Sequence, residues 1–473
     1  MNKFKLFNTA SKSVQDFTPI NTEMVSFYSC GPTVYDYPHI GNWYTFIRYD
    51  ELNRALKIAG YKTNWVMNIT DVGHLVSDED EGEDKLEKGA KREGSTAWDV
   101  AKKYTEYFEQ GLKRLNITTP DNLPKATDHI NEQIELIKQL EQNGHTYIID
   151  DGVYFDTSTF ADYGKMAGLD LTNQREGARV AINKQKRNPS DFALWKFSLA
   201  GEKRDMEWDS PWGKGFPGWH IECSAMSMKY LGETLDIHGG GIDHIPVHHT
   251  NEIAQSEGAT GKPFSKFWFH SHFNLVDGKK MSKSLNNFFT LEDIEKKGFD
   301  MLAFRLLVLQ SHYRTDAHFS WENLQSAQNR LNELRAWADL RHQPNVETMT
   351  DELNEMWGKT LSNMKECLMN DLDTPGALAA LAKQVSYMMT IPIPRHNGSN
   401  TGTALAQIDE MLGLSLDNRP DINEEQKALI EKRQTAKDDK DYKTADQIRD
   451  ELSSQGLAIR DTDYGQIWSR INS

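Results

Sequence analysis

Residues 24 to 70 constrain the chain most. Met24-Val25-Ser26-Phe27-Tyr28 alternates like a strand, and residues 29 to 42 break it at Cys30-Gly31-Pro32. Residues 43 to 59 then have helical spacing, closed by Gly60, and residues 61 to 70 read as a second strand. Strand, helix, strand with a helix of this length predicts a βαβ unit and a parallel sheet. The break sets a helix N-terminus just past the strand end, where unpaired N–H groups and the positive dipole end suit a phosphate. An ordinary strand–loop–helix connection would use the same residues, so the stretch takes its meaning from the rest of the chain. Thr70 and Asp71 stand where the second strand ends, on the edge where such sheets place ligands.

At 473 residues the chain exceeds one core and is expected to form roughly three or four domains. A net charge of −16 opposes indiscriminate binding to nucleic acid or membrane, and leaves room for a nucleic-acid partner held by local basic patches. Cys30, Cys223 and Cys367 are too few and too far apart for a disulfide framework, which points to a reducing cytosol. No run approaches the roughly 18 apolar residues of a membrane span, and the start leads into no apolar signal region. A soluble, cytoplasmic protein is expected.

Residues 77 to 94 are almost wholly charged or small, and read as a solvated acidic loop rather than a metal site of Asp78, Asp80 and Glu83. Helical spacing runs over residues 97 to 115 and 130 to 142, and residues 152 to 156 are the clearest strand of a hairpin-rich stretch. Residues 120 to 215 therefore look like a mixed insertion between the halves of a nucleotide-binding domain.

Chemistry-bearing residues return after it. Residues 219 to 226 have helical spacing, and residues 236 to 243 read as a strand end followed by a glycine-rich turn, Gly239-Gly240-Gly241, where backbone can approach a ligand closely. A helix begins near Pro246 and puts His248 and Glu252 on one face. With Cys30 and Cys223 these are four zinc-ligand types that could meet at one sheet edge. Taken singly, the thiols could as well be small buried apolar groups and the His/Glu pair a surface hydrogen bond. Residues 277 to 285, Asp-Gly-Lys-Lys-Met-Ser-Lys-Ser-Leu, form a cationic loop suited to neutralising phosphates, or else a solvated basic turn.

The C-terminal half is helical over residues 301 to 309, 326 to 338 and 351 to 392, with a capped start at Asp373-Thr374-Pro375. Residues 393 to 420 are rich in Pro, Gly, Ser and Asn and read as a linker. A helical pair and a short β-like end at residues 456 to 460 follow. Arg433, Lys437, Lys440, Lys443, Arg449 and Trp468 combine cations with an aromatic, as a single-stranded RNA loop would want, though interleaved acids equally describe a solvated helical surface.

Pro38-His39-Ile40-Gly41-Asn42 resembles the H-I-G-H signature of class I aminoacyl-tRNA synthetases, and Lys280-Met281-Ser282-Lys283-Ser284 matches their K-M-S-K-S signature. Within that class the chain is similar to the cysteinyl-tRNA synthetase family through residues 30 to 36, 218 to 224, 238 to 241, 251 to 256 and the helix at 445 to 452. The resemblance implies an α/β fold: a Rossmann-type catalytic domain (1–119 and 216–300), a connective insertion (120–215), helical regions (301–410) and a linker with a small anticodon-binding domain (411–473). It implies cysteine activation by ATP, with Mg2+, and transfer to the terminal adenosine of tRNA(Cys). It further implies a zinc held by Cys30, Cys223, His248 and Glu252 that recognises the substrate sulfur. Thr70 and His238 would line the cysteine pocket, with Trp219 as its wall. His39, Gly41 and Asn42 would meet ATP, with Gly239, Gly240, Gly241 and Asp243 around the nucleoside and Lys280 and Lys283 over the phosphates. Two departures stand out: Asn42 replaces the second histidine of H-I-G-H, and Thr70-Asp71-Val72-Gly73-His74 replaces the Thr-Asp-Ile-Asp-Asp-Lys run of many members. A monomer is expected.

Two other readings compete. A cysteine ligase with an amino-sugar acceptor would share the catalytic half but lack a full anticodon-binding end, which residues 421 to 473 supply. A catalytically silent RNA-binding paralogue would have lost signature lysines or zinc ligands, and this chain keeps both.

Overall fold

The strand predicted to open the chain's first βαβ unit, β3 (Val25–Ser29), lies inside a four-stranded parallel sheet of a computed structural model. The structure describes residues 3–73, 84–169, 183–198, 204–276, 278–279, 281, 287–343, 351–388, 400–462 and 465–471. They form two units, Lys3–Asp293 with Tyr313–His318, and Ile294–His312 with Phe319–Ser473.

In the first unit a hairpin, β1 (Lys5–Asn8) and β2 (Ser13–Asp16), precedes β3. Then come α1 (Ile40–Ile58) and β4 (Thr63–Met67), followed by α2 (Lys85–Glu93), α3 (Ala97–Arg114) and α4 (Ile130–Gln142). An antiparallel sheet of β5 (Thr146–Ile149), β6 (Gly152–Phe155), β7 (Phe192–Phe197) and β8 (Gly215–Pro217) forms the insertion. The chain returns through α5 (Trp219–Leu231), β9 (Leu235–Gly241), α6 (Thr250–Thr260), β10 (Ser265–Ser271) and β11 (Asn274–Val276).

The parallel sheet has the order β10-β9-β3-β4. Strand β3 leads through α1 to β4 on one side, and β9 through α6 to β10 on the other. The winding reverses between β3 and β9, and a crevice opens there at the strand ends. All seven residues of β9 are buried, as a sheet covered on both faces requires. The edge strand β10 is closed by the first hairpin: Asn8 accepts from the Trp268 amide at 3.1 Å and donates to the Lys266 carbonyl at 2.8 Å.

Helix α1 is held by more than its apolar face. Trp43 stacks on Phe108 of α3 at 5.5 Å, with its ring over Gly111, where a methyl would come within 2.2 Å of the indole. Replacing Trp43 by alanine would cost about 3–5 kcal/mol. Arg54 joins Asp50, one turn back, to the carbonyl of Asn116 just beyond α3. In the insertion, Phe155, Phe192, Leu194 and Trp195 pack with Ile134 and Ile137 of α4 and Ile221 and Met226 of α5. The insertion thereby buttresses the helix that carries Cys223.

Beyond it lie α7 (Leu291–Lys296), α8 (Met301–Leu309), β12 (Ala317–Phe319), α9 (Trp321–Asp339), α10 (Asp351–Met369) and α11 (Thr374–Met388). The start of α11 is capped as expected, with the Gly376 amide on Asp373 at 2.9 Å. Part of the predicted linker is instead a helix, α12 (Asn400–Leu412). Its Ala404, Leu405, Ile408, Met411 and Leu412 are buried, and that apolar stripe outweighs the turn-rich composition around it.

The C-terminal end pairs α13 (Glu424–Asp438) with α14 (Tyr442–Ser454) and adds an antiparallel hairpin, β13 (Leu457–Thr462) and β14 (Gly465–Arg470). Two residues considered for RNA contact are internal. Trp468 is buried with Ile430, Ile448 and Leu452. Arg433 is 4% exposed and makes a paired bond to Asp461 at 2.9 and 3.0 Å. A buried guanidinium needs a fixed carboxylate, and this requirement claims Arg433. Lys440, Lys443 and Arg449 are exposed.

Candidate active site

Cys30 follows β3 directly at the reversal point, where its amide donates to the Gly239 carbonyl at 3.0 Å. The chain then runs beside residues 68 to 70, with the Thr70 amide on the Pro32 carbonyl and the Val34 amide on the Thr70 carbonyl. The approach is so close that a methyl on Gly31 would lie 1.8 Å from the Asn68 carbonyl oxygen. Asn68 ties the strands further, accepting from the Gly31 amide at 2.8 Å and donating to the Thr70 hydroxyl at 3.0 Å.

Cys30, Cys223, His248 and Glu252 converge, with one donor atom from each lying within 4.8 Å of all the others. All four side chains are buried. Cys223 comes from α5, Glu252 from α6 and His248 from a turn of π-helix, Ile245–His249, that runs into α6. The wider π turn brings both His248 and His249 inward.

The electrostatics of the cluster suit a cation. Burial would raise the Glu252 carboxyl, yet His238 and His248 hold it well below the usual carboxylate range. Its buried Oε1 lies 3.0 Å from the His248 Nε2. Burial pushes the Cys30 thiol up, while the Cys30 contact pulls Cys223 down. Two soft sulfurs, an imidazole and a carboxylate within one buried sphere are a donor set that fits zinc.

A second layer of imidazoles surrounds this set. His220 Nδ1 lies 2.8 Å from His248 Nδ1. His249 Nε2 lies 3.4 Å from the Cys30 sulfur, its Nδ1 contacts His270 at 2.7 Å, and His270 contacts the Thr9 hydroxyl at 2.7 Å. Burial and repulsion from neighbouring imidazoles push His249 and His270 well below the usual histidine range. Sequence reading missed His220, His249, His270 and Asn68. His249 stands three residues before Glu252, a spacing that could have marked it as facing the same site.

A cavity of about 390 Å³ opens from the cluster. Cys30, Cys223, His248, Thr70 and Trp219 line it together with His39, Gly41, Asn42, Gly241 and Asp243. His39 caps α1 and exchanges bonds with Asn42, and burial lowers its ring to a pKa of about 4. Met281, in the middle of the K-M-S-K-S signature, also lines the cavity, whereas Lys280 and Lys283 lie outside the described residues. Asp78, Asp80 and Glu83 lie outside them too.

The glycine-rich turn expected at residues 239 to 241 is the end of β9 itself, paired with Phe269, His270 and Ser271. A methyl on Gly240 would fall 2.3 Å from the His249 ring, so the space a side chain would fill is taken by imidazole. Gly239 and Gly240 are not among the cavity-lining residues. Nor is His238, which is fully buried and hydrogen-bonded to Glu252.

Residues 16–329 match the family model described as the class I (C) tRNA synthetase catalytic domain, and residues 419–468 match the cysteinyl-tRNA ligase anticodon binding domain. The cysteine–tRNA ligase of Treponema denticola is 44% identical over 99% of both chains. Cysteine–tRNA ligase 1 of Burkholderia lata is 47% identical over 98% of this chain and 96% of its own. The chain belongs to the cysteinyl-tRNA synthetase family.

Among solved structures, a methionyl-tRNA synthetase of Mycobacterium tuberculosis in complex with methionyl-adenylate superposes with a TM-score of 0.60 at 15% identity, covering 84% of this chain and 93% of its own. At that identity the likeness is one of fold, and it agrees with the α/β architecture. In this cysteinyl-tRNA synthetase family member, one cavity is lined both by Cys30, Cys223 and His248 of the buried set and by the helix N-terminus that carries the H-I-G-N residues. Among the described residues no helix is long and apolar enough to cross a membrane.

Proposed function

We propose that this chain activates L-cysteine with ATP and transfers it to the 3′-terminal adenosine of tRNA(Cys), selecting its substrate through a zinc held by Cys30, Cys223, His248 and Glu252. The observation that carries this reading is the buried Cys30–Cys223–His248–Glu252 set, of which Cys30, Cys223 and His248 line the same cavity as His39 and Asn42. Bound there, zinc would supply a soft Lewis acid that favours a thiolate sulfur over a hydroxyl.

The chain's own groups do the rest. Thr70, fixed by Asn68, and Trp219 form the walls around the amino acid, and His238 acts behind them by steadying Glu252. His39, Gly41 and Asn42 face the phosphates of ATP, with Gly241 and Asp243 on the nucleoside side and Gly239 and Gly240 shaping the strand that carries them. Lys280 and Lys283 neutralise the phosphates, with Mg2+ accompanying ATP. The cysteine carboxylate oxygen bonds to the α-phosphorus as the bond to pyrophosphate breaks, a step that positioning and charge neutralisation can drive without a general base. The acyl group then passes to the tRNA, at the 2′-hydroxyl by class I resemblance. The protein acts in the cytoplasm as a monomer.

The amino-sugar alternative receives no support from the comparisons, since relatives named cysteine–tRNA ligase match over nearly the whole chain and the anticodon-domain model matches its end. Charging of a tRNA with a GCA anticodon, assayed with purified protein, tests the reading, and absence of charging by folded, zinc-loaded protein would sink it.

A further inference from the structure

The C-terminal module of α13, α14 and the hairpin has its own core, formed by Ile422, Ile430, Ile448, Leu452, Leu457 and Trp468. What ties it to the end of α9 is a polar joint. Asp339, the last residue of α9, is 1% exposed. Its two oxygens accept a paired bond from Arg419, 2.8 Å from Nε and 2.7 Å from Nη2. The second oxygen also accepts from Arg470 of β14 at 2.7 Å. Arg470 reaches on to the Pro420 carbonyl at 2.7 Å.

Two neighbours complete the joint. Arg341 donates to Asp417 at 2.8 Å and to the Arg419 carbonyl at 2.9 Å. Gln343 pairs with the backbone of Trp468 in both directions, at 2.9 and 3.0 Å. One buried carboxylate thus holds guanidinium groups from two separate segments. Planar, charge-assisted bonds of this kind fix an angle as well as a distance.

We propose that Asp339 is a positioning residue for tRNA charging: it locks the C-terminal hairpin against α9 and so sets where the anticodon-binding region meets the tRNA. The inference rests on the charging reading above. A module that closes its core between α13, α14 and the hairpin does not need Asp339 to fold, but it needs the joint to hold one orientation. Removing the carboxylate charge leaves Arg419 and Arg470 without their shared anion and frees the hairpin to tilt.

The test uses the full-length chain and its D339N variant, with three substrates. These are cysteine and ATP in pyrophosphate exchange, a full tRNA(Cys) transcript, and a hairpin carrying only its acceptor stem. The expected result is exchange at the unmodified rate and unchanged use of the acceptor-stem hairpin, with KM for the full transcript raised about tenfold and kcat little altered. R470K keeps the charge but cannot span Asp339 and the Pro420 carbonyl together, and it must show the same split if D339N does not fold. An unchanged KM for the full transcript in a folded variant overturns the proposal, as does an equal loss on the acceptor-stem hairpin. If the unmodified protein fails to charge the transcript, the charging reading itself falls.

Discussion

His39 and Asn42 cap α1 reciprocally: the Asn42 amide donates to His39 Nδ1 and the His39 amide donates to Asn42 Oδ1, both at 3.1 Å. The residue that replaces the second histidine of the signature therefore closes the first turn of the helix on which the H-I-G-N residues sit. Asn42→Ala should cost about 1 kcal/mol in urea unfolding and raise KM for ATP in pyrophosphate exchange. Unchanged values for both would remove Asn42 from the structure and the chemistry alike.

Accepting the Asn42 amide requires a neutral His39 ring, and burial keeps it so down to about pH 4. The unfolded chain, with a histidine pKa near 6.5, takes up that proton first. Stability contributed by neutral His39 is complete above about pH 6.5 and is lost as pH falls toward 4, by no more than about 3 kcal/mol. His39→Asn keeps a capping oxygen and should lose less stability across that window. Identical slopes in wild type and variant would contradict a half-buried ring held neutral.

Gly31 is pinned by the Asn68 carbonyl, 1.8 Å from where a methyl would sit. Backbone must move to accept it, and Cys30 moves with it. Gly31→Ala should lower the unfolding free energy by about 2–4 kcal/mol and reduce zinc content measured by metal analysis. A stable variant that retains its zinc would show that the two strands have slack.

Arg433 offers a contrast, being a cation claimed by the fold. Its partner Asp461 has a half-exposed side chain, which moderates the loss when the pair is broken. Arg433→Ala should destabilise the C-terminal region by about 1–3 kcal/mol while leaving cysteine-dependent exchange untouched. Reduced exchange in this variant would mean that the C-terminal region takes part in amino-acid activation.

Elements whose burial follows one simple period were readable in advance. The βαβ unit and the helices at residues 130 to 142 and 301 to 309 emerged from local spacing, while Cys30, Cys223, His248 and Glu252, which the structure clusters, were singled out by residue type together with the family resemblance. Four things did not emerge, three of them because a distant partner decides them. Gly239 to Gly241 look like a turn until the ring of His249 is seen occupying the space beside Gly240. The imidazole layer of His220, His249 and His270 exists only once α5, the π turn and β10 are packed together. Helix α12 carried a usable stripe at Ala404, Leu405, Ile408, Met411 and Leu412, but its glycine- and proline-rich surroundings masked it. The burial of Arg433 needed Asp461, which lies 28 residues away.

The most direct test of the central claim is pyrophosphate exchange with cysteine and with serine, on protein of known zinc content, before and after chelation. Exchange with cysteine and far less with serine is expected, with loss of exchange when zinc is stripped, and little zinc or exchange in Cys223→Ser. Undiminished cysteine-dependent exchange in folded, zinc-free protein would contradict selection through Cys30, Cys223, His248 and Glu252.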